Sequence, residues 1–311
     1  MNIAWLFPGQ GSQSVGMGRE VAAFSAAARD VYARVDAALE ATILRSLSHL
    51  CFEGPESDLV LTKLTQPAIV ATSIAVLAAI RERHPQLPAP SCAAGHSLGE
   101  YSALVAAGAL TVEEACLVVH LRGAAMQDAV PPGAGAMSAV MGVEPALLET
   151  LCAAASREVG EPVTPANFNS PGQIVIAGTT AAVAKASAKI AAHKGKTIAL
   201  KVSAPFHCSL MKPAADVVAN ALASIALEAP MFPVIANVDA TEKRDVESVR
   251  RALVDQVASP VRWQASVEAM VAAGVTHMIE IGPGKALAGM VRRISKDVKV
   301  TSVNDVASID A

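Results

Sequence analysis

One pentapeptide, Gly95-His96-Ser97-Leu98-Gly99, constrains the fold of this chain more than any other feature. It has the form G-x-S-x-G, which requires a buried strand, a tight turn and a helix in immediate succession. The small residues at 91–94 suit the end of a strand, and the largely uncharged stretch 98–110 suits a helix. The pattern therefore predicts an α/β fold in which a turn presents Ser97 as a nucleophile, beside helix N–H groups that would stabilise an oxyanion.

The same pentapeptide also arises by chance in an alanine-rich chain with 20 glycines, so other residues must support it. Over 311 residues the chain is 52% hydrophobic, 3% aromatic and 17% charged, which is typical of an α/β protein with one large domain or two smaller ones. The net charge of −3 gives no indication of a nucleic-acid partner.

Two uncharged stretches, 64–80 and 162–184, are long enough to suggest membrane spans. Polar residues, prolines and glycines interrupt them, so we expect a buried helix and a pair of strands, and no membrane partner. The N-terminus leads directly into an apolar strand, which predicts no secretory signal. The odd number and scattered spacing of the cysteines predict neither disulfides nor zinc, and indicate a reducing cytoplasm: Cys51, Cys92, Cys116, Cys152 and Cys208.

The first predicted strand, 2–7, leads into the glycine-containing loop 8–13. Ligands bind at the carboxyl ends of strands in open α/β sheets. A dinucleotide loop is not predicted, because Ser14 replaces the third glycine of the G-x-G-x-x-G pattern. No cofactor is predicted. We expect instead that a backbone N–H of this loop, for example that of Gln10, donates a hydrogen bond to an oxyanion formed at Ser97.

A capping box at Thr111 and Glu114 opens a predicted helix over 112–129, which carries Arg122. The helical neighbours of Arg122 are all apolar: Val118, Val119, Ala125 and Met126. A buried guanidinium needs an anionic partner. That partner is either an internal Asp or Glu, or a substrate carboxylate held bidentately.

Further helices are predicted at 21–39 and at 68–80, the second with Pro67 near its start, followed by a charged surface loop at 81–90. After a hinge at 131–135, the pattern β-α-β-β-α-β is that of a ferredoxin-like unit. Its predicted strands are 137–143, 163–167, 173–177 and 197–202, and its helices are 145–159 and 180–193. A small subdomain at 131–202 is therefore expected within a larger one formed by 1–130 and 203–311, whose later strands are predicted at 230–237 and 275–281.

The loop 203–208, just before a predicted helix at 210–225, contains His207. A lone loop histidine is usually a surface residue, but a serine nucleophile needs a base, which favours His207 for that role. Gln256 lies on the apolar face of a helix at 249–257, either as a core amide or as a group that orients His207. No Asp or Glu stands out as the third member of a catalytic triad, so we expect a Ser-His dyad that amide groups hold in place.

Seven motifs in the same order give the chain a resemblance that runs nearly end to end. They are Phe7-Pro8-Gly9-Gln10-Gly11-Ser12-Gln13, Thr65-Gln66-Pro67-Ala68, Gly95-His96-Ser97-Leu98-Gly99-Glu100-Tyr101, Asn167-Phe168-Asn169-Ser170-Pro171-Gly172-Gln173, Phe206-His207, Asn237-Val238-Asp239 and Glu280-Ile281-Gly282-Pro283-Gly284-Lys285. With them the sequence resembles the malonyl-CoA:acyl carrier protein transacylases of bacterial fatty acid synthesis.

The resemblance implies an α/β-hydrolase-like subdomain with a parallel sheet, an inserted ferredoxin-like subdomain and an active site in the cleft between them. It implies that Ser97 carries the acyl group, His207 is the base and later the acid, Arg122 binds the malonyl carboxylate and Gln256 helps to hold His207. It further implies oxyanion N–H groups and substrate contacts at the following residues: Gln10, Leu98, Asn167, Asn169 and Phe206. The bulky ring of Phe206 is expected to favour malonyl over branched acyl units.

The implied reaction is ping-pong transfer from malonyl-CoA to acyl carrier protein, in the cytoplasm. The alternatives are a malonyl transferase of a polyketide synthase or malonate decarboxylase system, a thioesterase or lipase, and a carrier-protein scaffold without activity. Because acyl carrier proteins are acidic, Lys185 and Lys189, one helical turn apart, are candidates for a docking patch. An ordinary solvated helix face is the other interpretation.

Overall fold

The computed structural model describes residues 2–311 and contains two β-sheets with helices packed on them. The elements in the first 130 residues are β1 (Ile3–Phe7), α1 (Arg19–Phe24), α2 (Ala26–Leu39), α3 (Leu47–Glu53), α4 (Glu56–Leu59), α5 (Thr62–Arg83), β2 (Cys92–Gly95), α6 (Gly99–Ala106) and α7 (Val112–Asp128). Next come β3 (Gly135–Met141), α8 (Pro145–Val159), β4 (Val163–Ser170), β5 (Gln173–Thr179), α9 (Thr180–Ala192) and β6 (Lys196–Ala199).

The remaining elements return to the first sheet. They are a 3₁₀ turn (Ser209–Met211), α10 (Lys212–Ala223), β7 (Val234–Ile235), β8 (Glu242–Lys243), α11 (Val246–Ala258), α12 (Trp263–Ala272), β9 (His277–Ile281), α13 (Ala286–Ile294), β10 (Lys299–Val303) and α14 (Val306–Asp310). Seven of these elements were not predicted from the sequence: α3, α4, α12, α13, α14, β8 and β10.

The larger sheet has the strand order β10-β9-β1-β2-β7-β8, and every neighbouring pair is parallel except β7 with β8. The register pairs Phe7 with Gly95, the last residues of β1 and β2. Parallel neighbours end at the same edge of a sheet. The loop after β1 and the turn that contains Ser97 therefore lie side by side.

The smaller sheet has the order β4-β5-β3-β6 with antiparallel pairs, and α8 and α9 connect its strands in the β-α-β-β-α-β order. This confirms the predicted fold class of a parallel α/β sheet with a ferredoxin-like unit. All strands of the smaller sheet come from 135–199. Domain limits at 131 and 202 stay a prediction.

Strand β4 connects the smaller sheet to the segment between α11 and α12. The Phe168 N–H donates to the Val261 carbonyl at 2.9 Å, and the Val261 N–H donates to the Ala166 carbonyl at 2.9 Å. Val261 lies between α11 and α12, on the side of the larger sheet. These backbone bonds place the end of β4, with Asn167 and Asn169, against the turn that holds Ser97.

Helix α5 is the central core helix. Within residues 2–311 it is the one helix long and apolar enough to cross a membrane, yet 83% of its most apolar 18-residue window is buried inside the protein. It packs against α2 and α7. Burial by protein accounts for its apolar composition, as the sequence analysis expected.

Pro67 differs from its predicted place near a helix start, because α5 begins at Thr62 and extends to Arg83, into the predicted surface loop. An interior proline leaves the carbonyl four residues earlier, that of Lys63, without its usual donor. The His120 ring on α7 supplies one, with Nδ1 2.8 Å from that oxygen. A tertiary contact thus replaces the helical bond that Pro67 removes.

The single helix predicted at 21–39 is wrong, because Ser25 divides it into α1 and α2. Ser25 has extended backbone angles (φ −112°, ψ 129°) and its side chain accepts a hydrogen bond from the Ala28 N–H. Serine is a strong N-cap residue, so it starts a new helix rather than continuing one. The predicted strand at 230–237 is also shorter, since only Val234–Ile235 pairs as β7.

Candidate active site

Ser97 lies on a strained turn between β2 and α6, with a φ of +53°. A Cβ at Gly95 would stand 1.9 Å from the Gly99 carbonyl carbon, and a Cβ at Gly99 would stand 2.3 Å from the Phe7 oxygen. The two glycines therefore allow the turn to pack on itself and on β1. The resulting strand, turn and helix are the context that the pentapeptide requires.

The Ser97 hydroxyl and the His207 imidazole are hydrogen-bonded, with Oγ and Nε2 2.7 Å apart. His207 Nδ1 donates to the main-chain carbonyl of Gln256 at 3.0 Å, so in the neutral ring Nε2 is the acceptor and the serine hydroxyl is the donor. This is the arrangement in which an imidazole takes a proton from an attacking serine.

His207 is buried at 3% exposure. Burial, and secondarily the nearby positive charge of Arg122, lowers the pKa of His207 to about 3. The ring is therefore neutral at physiological pH and free to accept the serine proton.

The guanidinium of Arg122 lies within the same cluster at 1% exposure. Nη2 donates to Ser97 Oγ at 3.1 Å and to Gln256 Oε1 at 2.9 Å, and Nη1 donates to Gln66 Oε1 at 2.7 Å. Nε has no partner among the described residues, and none of their carboxylates lies within 4.0 Å of this guanidinium. Of the two partners left open by the sequence, a directly paired internal carboxylate is thus not found in the described chain.

A buried polar network lies behind the serine. The Gln256 amide donates from Nε2 to Glu100 Oε2 at 2.8 Å and to the Ser97 carbonyl at 3.1 Å. Glu100 Oε2 also accepts from the Asn237 N–H at 2.8 Å. Asn237 accepts from the Ser97 N–H at 2.6 Å and donates to the Gly95 carbonyl at 2.7 Å. The network fixes the turn from both sides.

Two backbone N–H groups beside Ser97 lack acceptors within the part of the chain that the structure describes. They belong to Leu98, at the start of α6, and to Gln10, in the loop after β1. The Ser97 N–H is unavailable, since it is bound to Asn237. The unused donors are thus the two that the resemblance implied.

Ser97 opens into a cavity of about 320 Å³ between the two sheets. Seven of the predicted site residues line it: Gln10, Ser97, Arg122, Asn167, Asn169, Phe206 and His207. Leu98 and Gln256 lie behind its wall and are buried. Asn169 Oδ1 accepts from His96 Nε2 at 2.9 Å, which ties β4 to the serine turn. Part of the remaining wall comes from α13, through Ala286, Leu287 and Met290.

The structure differs from the sequence analysis in how Gln256 supports His207. The main-chain carbonyl of Gln256 accepts the hydrogen bond from His207. The side-chain amide of Gln256 binds Arg122, Glu100 and Ser97 instead. The predicted dyad without a direct carboxylate partner agrees with this geometry. The side chain of Gln256 is in turn hydrogen-bonded to a carboxylate, that of Glu100, which does not itself contact His207.

Three residues of this cluster had no predicted role: Gln66, Glu100 and Asn237. Each belongs to a quoted motif, and Glu100 is the one charged residue in the segment 85–112. That isolated charge was the available signal. Its partners lie 137 and 156 residues away, so spacing along the chain gave no indication of them.

The candidate docking lysines, Lys185 and Lys189, both lie within ion-pair distance of Glu158, the first at 3.0 Å. Their charge is partly balanced within α8 and α9. Docking of an acidic partner at these residues stays a prediction.

Comparison with known proteins identifies the family. The acyl transferase domain matches residues 4–309. The chain is 44% identical to the malonyl CoA-acyl carrier protein transacylase of Salmonella typhimurium over 99% of this chain and 98% of that protein. It is 46% identical to the corresponding transacylase of Haemophilus influenzae, over 99% and 97%. The chain belongs to the malonyl CoA-acyl carrier protein transacylase family. It is therefore an acyltransferase.

Solved structures agree with the family assignment. An acyl carrier protein S-malonyltransferase from Vibrio cholerae superposes with a TM-score of 0.94 at 45% identity, covering 100% of this chain and 99% of that one. A malonyl-transacylase in complex with its type II PKS acyl-carrier protein superposes with a TM-score of 0.94 at 42% identity, covering 100% and 98%. The likeness extends over both sheets.

Proposed function

We propose that this acyltransferase moves the malonyl group of malonyl-CoA to the phosphopantetheine thiol of acyl carrier protein, through a malonyl ester of Ser97. The observation that carries the proposal is the Arg122 guanidinium, which is buried, has no directly paired carboxylate among the described residues and lies 3.1 Å from Ser97 Oγ. An acyl group with a terminal carboxylate supplies the missing anion at the reacting oxygen.

In the first half-reaction, Ser97 Oγ attacks the thioester carbonyl while His207 Nε2 takes its proton. The free N–H groups of Leu98 and Gln10 donate to the oxyanion of the tetrahedral intermediate. The intermediate collapses with loss of the CoA sulfur, which takes the proton from His207. The Gln256 carbonyl holds the imidazole in the required tautomer throughout, through its bond to Nδ1.

In the second half-reaction, the phosphopantetheine thiol gives its proton to His207 and attacks the malonyl ester. Collapse of that intermediate returns the proton to Ser97 Oγ. Water competes for the same ester. Arg122 binds the malonyl carboxylate through its Nη atoms, and Asn167, Asn169 and Phe206 line the same cavity. A filled cavity leaves little space for water beside the ester.

Intact mass spectrometry after brief incubation with malonyl-CoA tests the proposal. The expected product is a protein about 86 Da heavier, the mass of a malonyl group on an activated nucleophile. The adduct should disappear on adding carrier protein with its phosphopantetheine arm, and should be absent in Ser97→Ala. A thioesterase or lipase would release malonate and leave the protein unmodified, and a scaffold would leave malonyl-CoA intact.

The pathway follows from the carrier protein that is used. We propose fatty acid synthesis in the cytoplasm, as the similarity to the bacterial transacylases favours. The alternative is a polyketide synthase, and the likeness to a transacylase in complex with its type II PKS acyl-carrier protein favours that second candidate. Competition between a fatty-acid and a polyketide carrier for the malonyl-enzyme distinguishes them through the ratio of transfer rates.

A further inference from the structure

The carboxyl group of Glu100 has no role in the reaction as described above, although it lies near its centre. Its exposure is 2%, and that of Arg122 is 1%. A single side chain separates them. Glu100 Oε2 accepts from Gln256 Nε2 at 2.8 Å, and Gln256 Oε1 accepts from Arg122 Nη2 at 2.9 Å. The two ends of one amide thus connect a buried acid to a buried cation.

The buried positive charge of Arg122 needs a compensating negative charge. Arg122 is buried without direct ion pairing to any described carboxylate, and an uncompensated buried charge is very costly. Glu100 is the nearest anion along the hydrogen-bonded network. It lies in the first turn of α6, where the helix dipole favours negative charge, and it accepts a second bond from the Asn237 N–H.

The arrival of a malonyl group changes the balance of charge in this cluster. With an empty cavity, one cation and one anion compensate each other. With a malonyl carboxylate bound to Arg122, two anions would share one buried cation. The less costly arrangement neutralises one of the anions, and Glu100 is the one that can take up a proton without leaving its place.

We propose that Glu100 is the buried counter-charge of Arg122, ionised while the acyl cavity is empty and protonated from solvent when a malonyl carboxylate binds. Glu100 then becomes a specificity-determining residue, because its charge state sets how strongly Arg122 attracts a charged acyl group. The inference rests on the function proposed above and adds a proton to the binding step.

The surroundings of Glu100 allow this exchange near neutral pH. Burial raises its pKa to about 7, against the bonds from Asn237 and Gln256 and the charge of Arg122, which lower it. Asp239, after β7, raises it slightly and is itself paired with Lys243 at 2.6 Å. Strands β1 and β2 carry no charged residue, and Arg81 of α5 is bound to the carbonyl of Ala106, at the other end of α6.

The first test is a competition between malonyl-CoA and acetyl-CoA for Ser97, measured by intact mass from pH 5.5 to 9. Ionisation of the shared serine and histidine cancels in the ratio, and the malonyl carboxyl is already ionised above about pH 4, so it does not titrate in this range. The ratio of malonyl to acetyl adduct should fall through one step as pH rises, by about tenfold, a usual size for coupling between two sites. In Glu100→Gln, which cannot titrate, the ratio should be independent of pH.

Glu280→Gln is the matched control, since Glu280 is also a buried carboxyl of raised pKa, bound to the N–H groups of Leu287 and Ala288. It should keep the pH step, whatever its absolute rate. An unchanged step in Glu100→Gln, or a wild-type ratio without a step, overturns the inference. Absence of any malonyl adduct in the wild type would instead contradict the proposed function.

A second measurement does not depend on acylation rates. Calorimetric titration of Ser97→Ala with malonyl-CoA near pH 7, in two buffers of different ionisation enthalpy, reports the protons taken up on binding. We expect a net uptake of protons when malonyl-CoA binds and none when acetyl-CoA binds. The uptake with malonyl-CoA should be lost in the double variant that also carries Glu100→Gln. Equal uptake with and without Glu100 would overturn the inference, even if Glu100→Gln alone were less stable.

Discussion

The backbone N–H of Ser97 donates to the side-chain Oδ1 of Asn237 at 2.6 Å. The bond has two consequences. It holds the serine at a φ of +53°, and it removes the Ser97 N–H from the donors available to an oxyanion. Asn237 also donates to the Gly95 carbonyl at 2.7 Å, so one buried amide closes the turn on both sides of the nucleophile.

Replacing Asn237 by alanine should destabilise the protein and slow acylation of Ser97. Buried groups on Ser97 and Gly95 would lose their partners, at a cost of about 2 kcal/mol in the free energy of unfolding. Urea unfolding and the rate of adduct formation check both effects. Asn304→Ala, which removes one exposed amide contact to Gly284, should leave the acylation rate unchanged. Wild-type acylation in a folded Asn237→Ala would contradict the assigned role.

Arg122→Ala should shift the acyl preference from malonyl to uncharged thioesters. Removing a buried cation from a charged ligand costs about 3 kcal/mol, so the ratio of malonyl to acetyl acylation should fall by about 100-fold. Competition between the two thioesters measures it. Arg81→Ala is the control, because Arg81 lies over the Trp5 ring, outside the cavity. Unchanged malonyl selectivity in Arg122→Ala would refute the role proposed for this guanidinium.

His207 should make the protein less stable as the solution is acidified. Its pKa is about 3 in the folded protein and about 6.5 in an unfolded chain, so the unfolded state binds the extra proton. The contribution of the neutral His207 ring to the free energy of unfolding is complete above pH 6.5. It is lost as pH falls from there towards 3, at about 1.4 kcal/mol per pH unit.

Urea unfolding at pH 7.5, 6.5 and 5.5 measures this slope. His207→Gln should show a shallower decline than the wild type below pH 6.5. His49→Gln removes an exposed histidine and should keep the wild-type slope. Parallel curves for wild type and His207→Gln would mean that His207 is not the buried neutral ring described above.

Two glycine substitutions should have opposite effects. A Cβ at Gly99 would meet the main-chain oxygens of Phe7 and Pro8 at 2.3 and 2.7 Å, so Gly99→Ala should cost about 3 kcal/mol in the free energy of unfolding. Gly289, inside α13, has open space where its Cβ would stand. Gly289→Ala should raise the free energy of unfolding by about 0.5–1 kcal/mol, because alanine favours helix. Equal stability of the two variants would show that Gly99 is not tightly packed.

The predictable parts of the fold were those encoded locally. The β-α-β-β-α-β order was readable because each element has its own apolar period and is bounded by turn residues. Ser25 and Pro67 show where local reading failed. The cap at Ser25 overrode a continuous apolar pattern, and Pro67 was placed at a helix start because the compensating donor, His120, is 57 residues from Lys63 along the chain.

The sequence by itself determined which groups are available: a serine between glycines, a histidine before a helix and an arginine among apolar neighbours. Only the tertiary structure decided how they are connected. It assigned the main-chain carbonyl of Gln256 to His207, its side-chain amide to Arg122, and Glu100 to the far end of that amide. The reason is physical. Local patterns arise from contacts a few residues apart, whereas the partner of a buried charge is whichever group the packing of distant segments brings within hydrogen-bond distance.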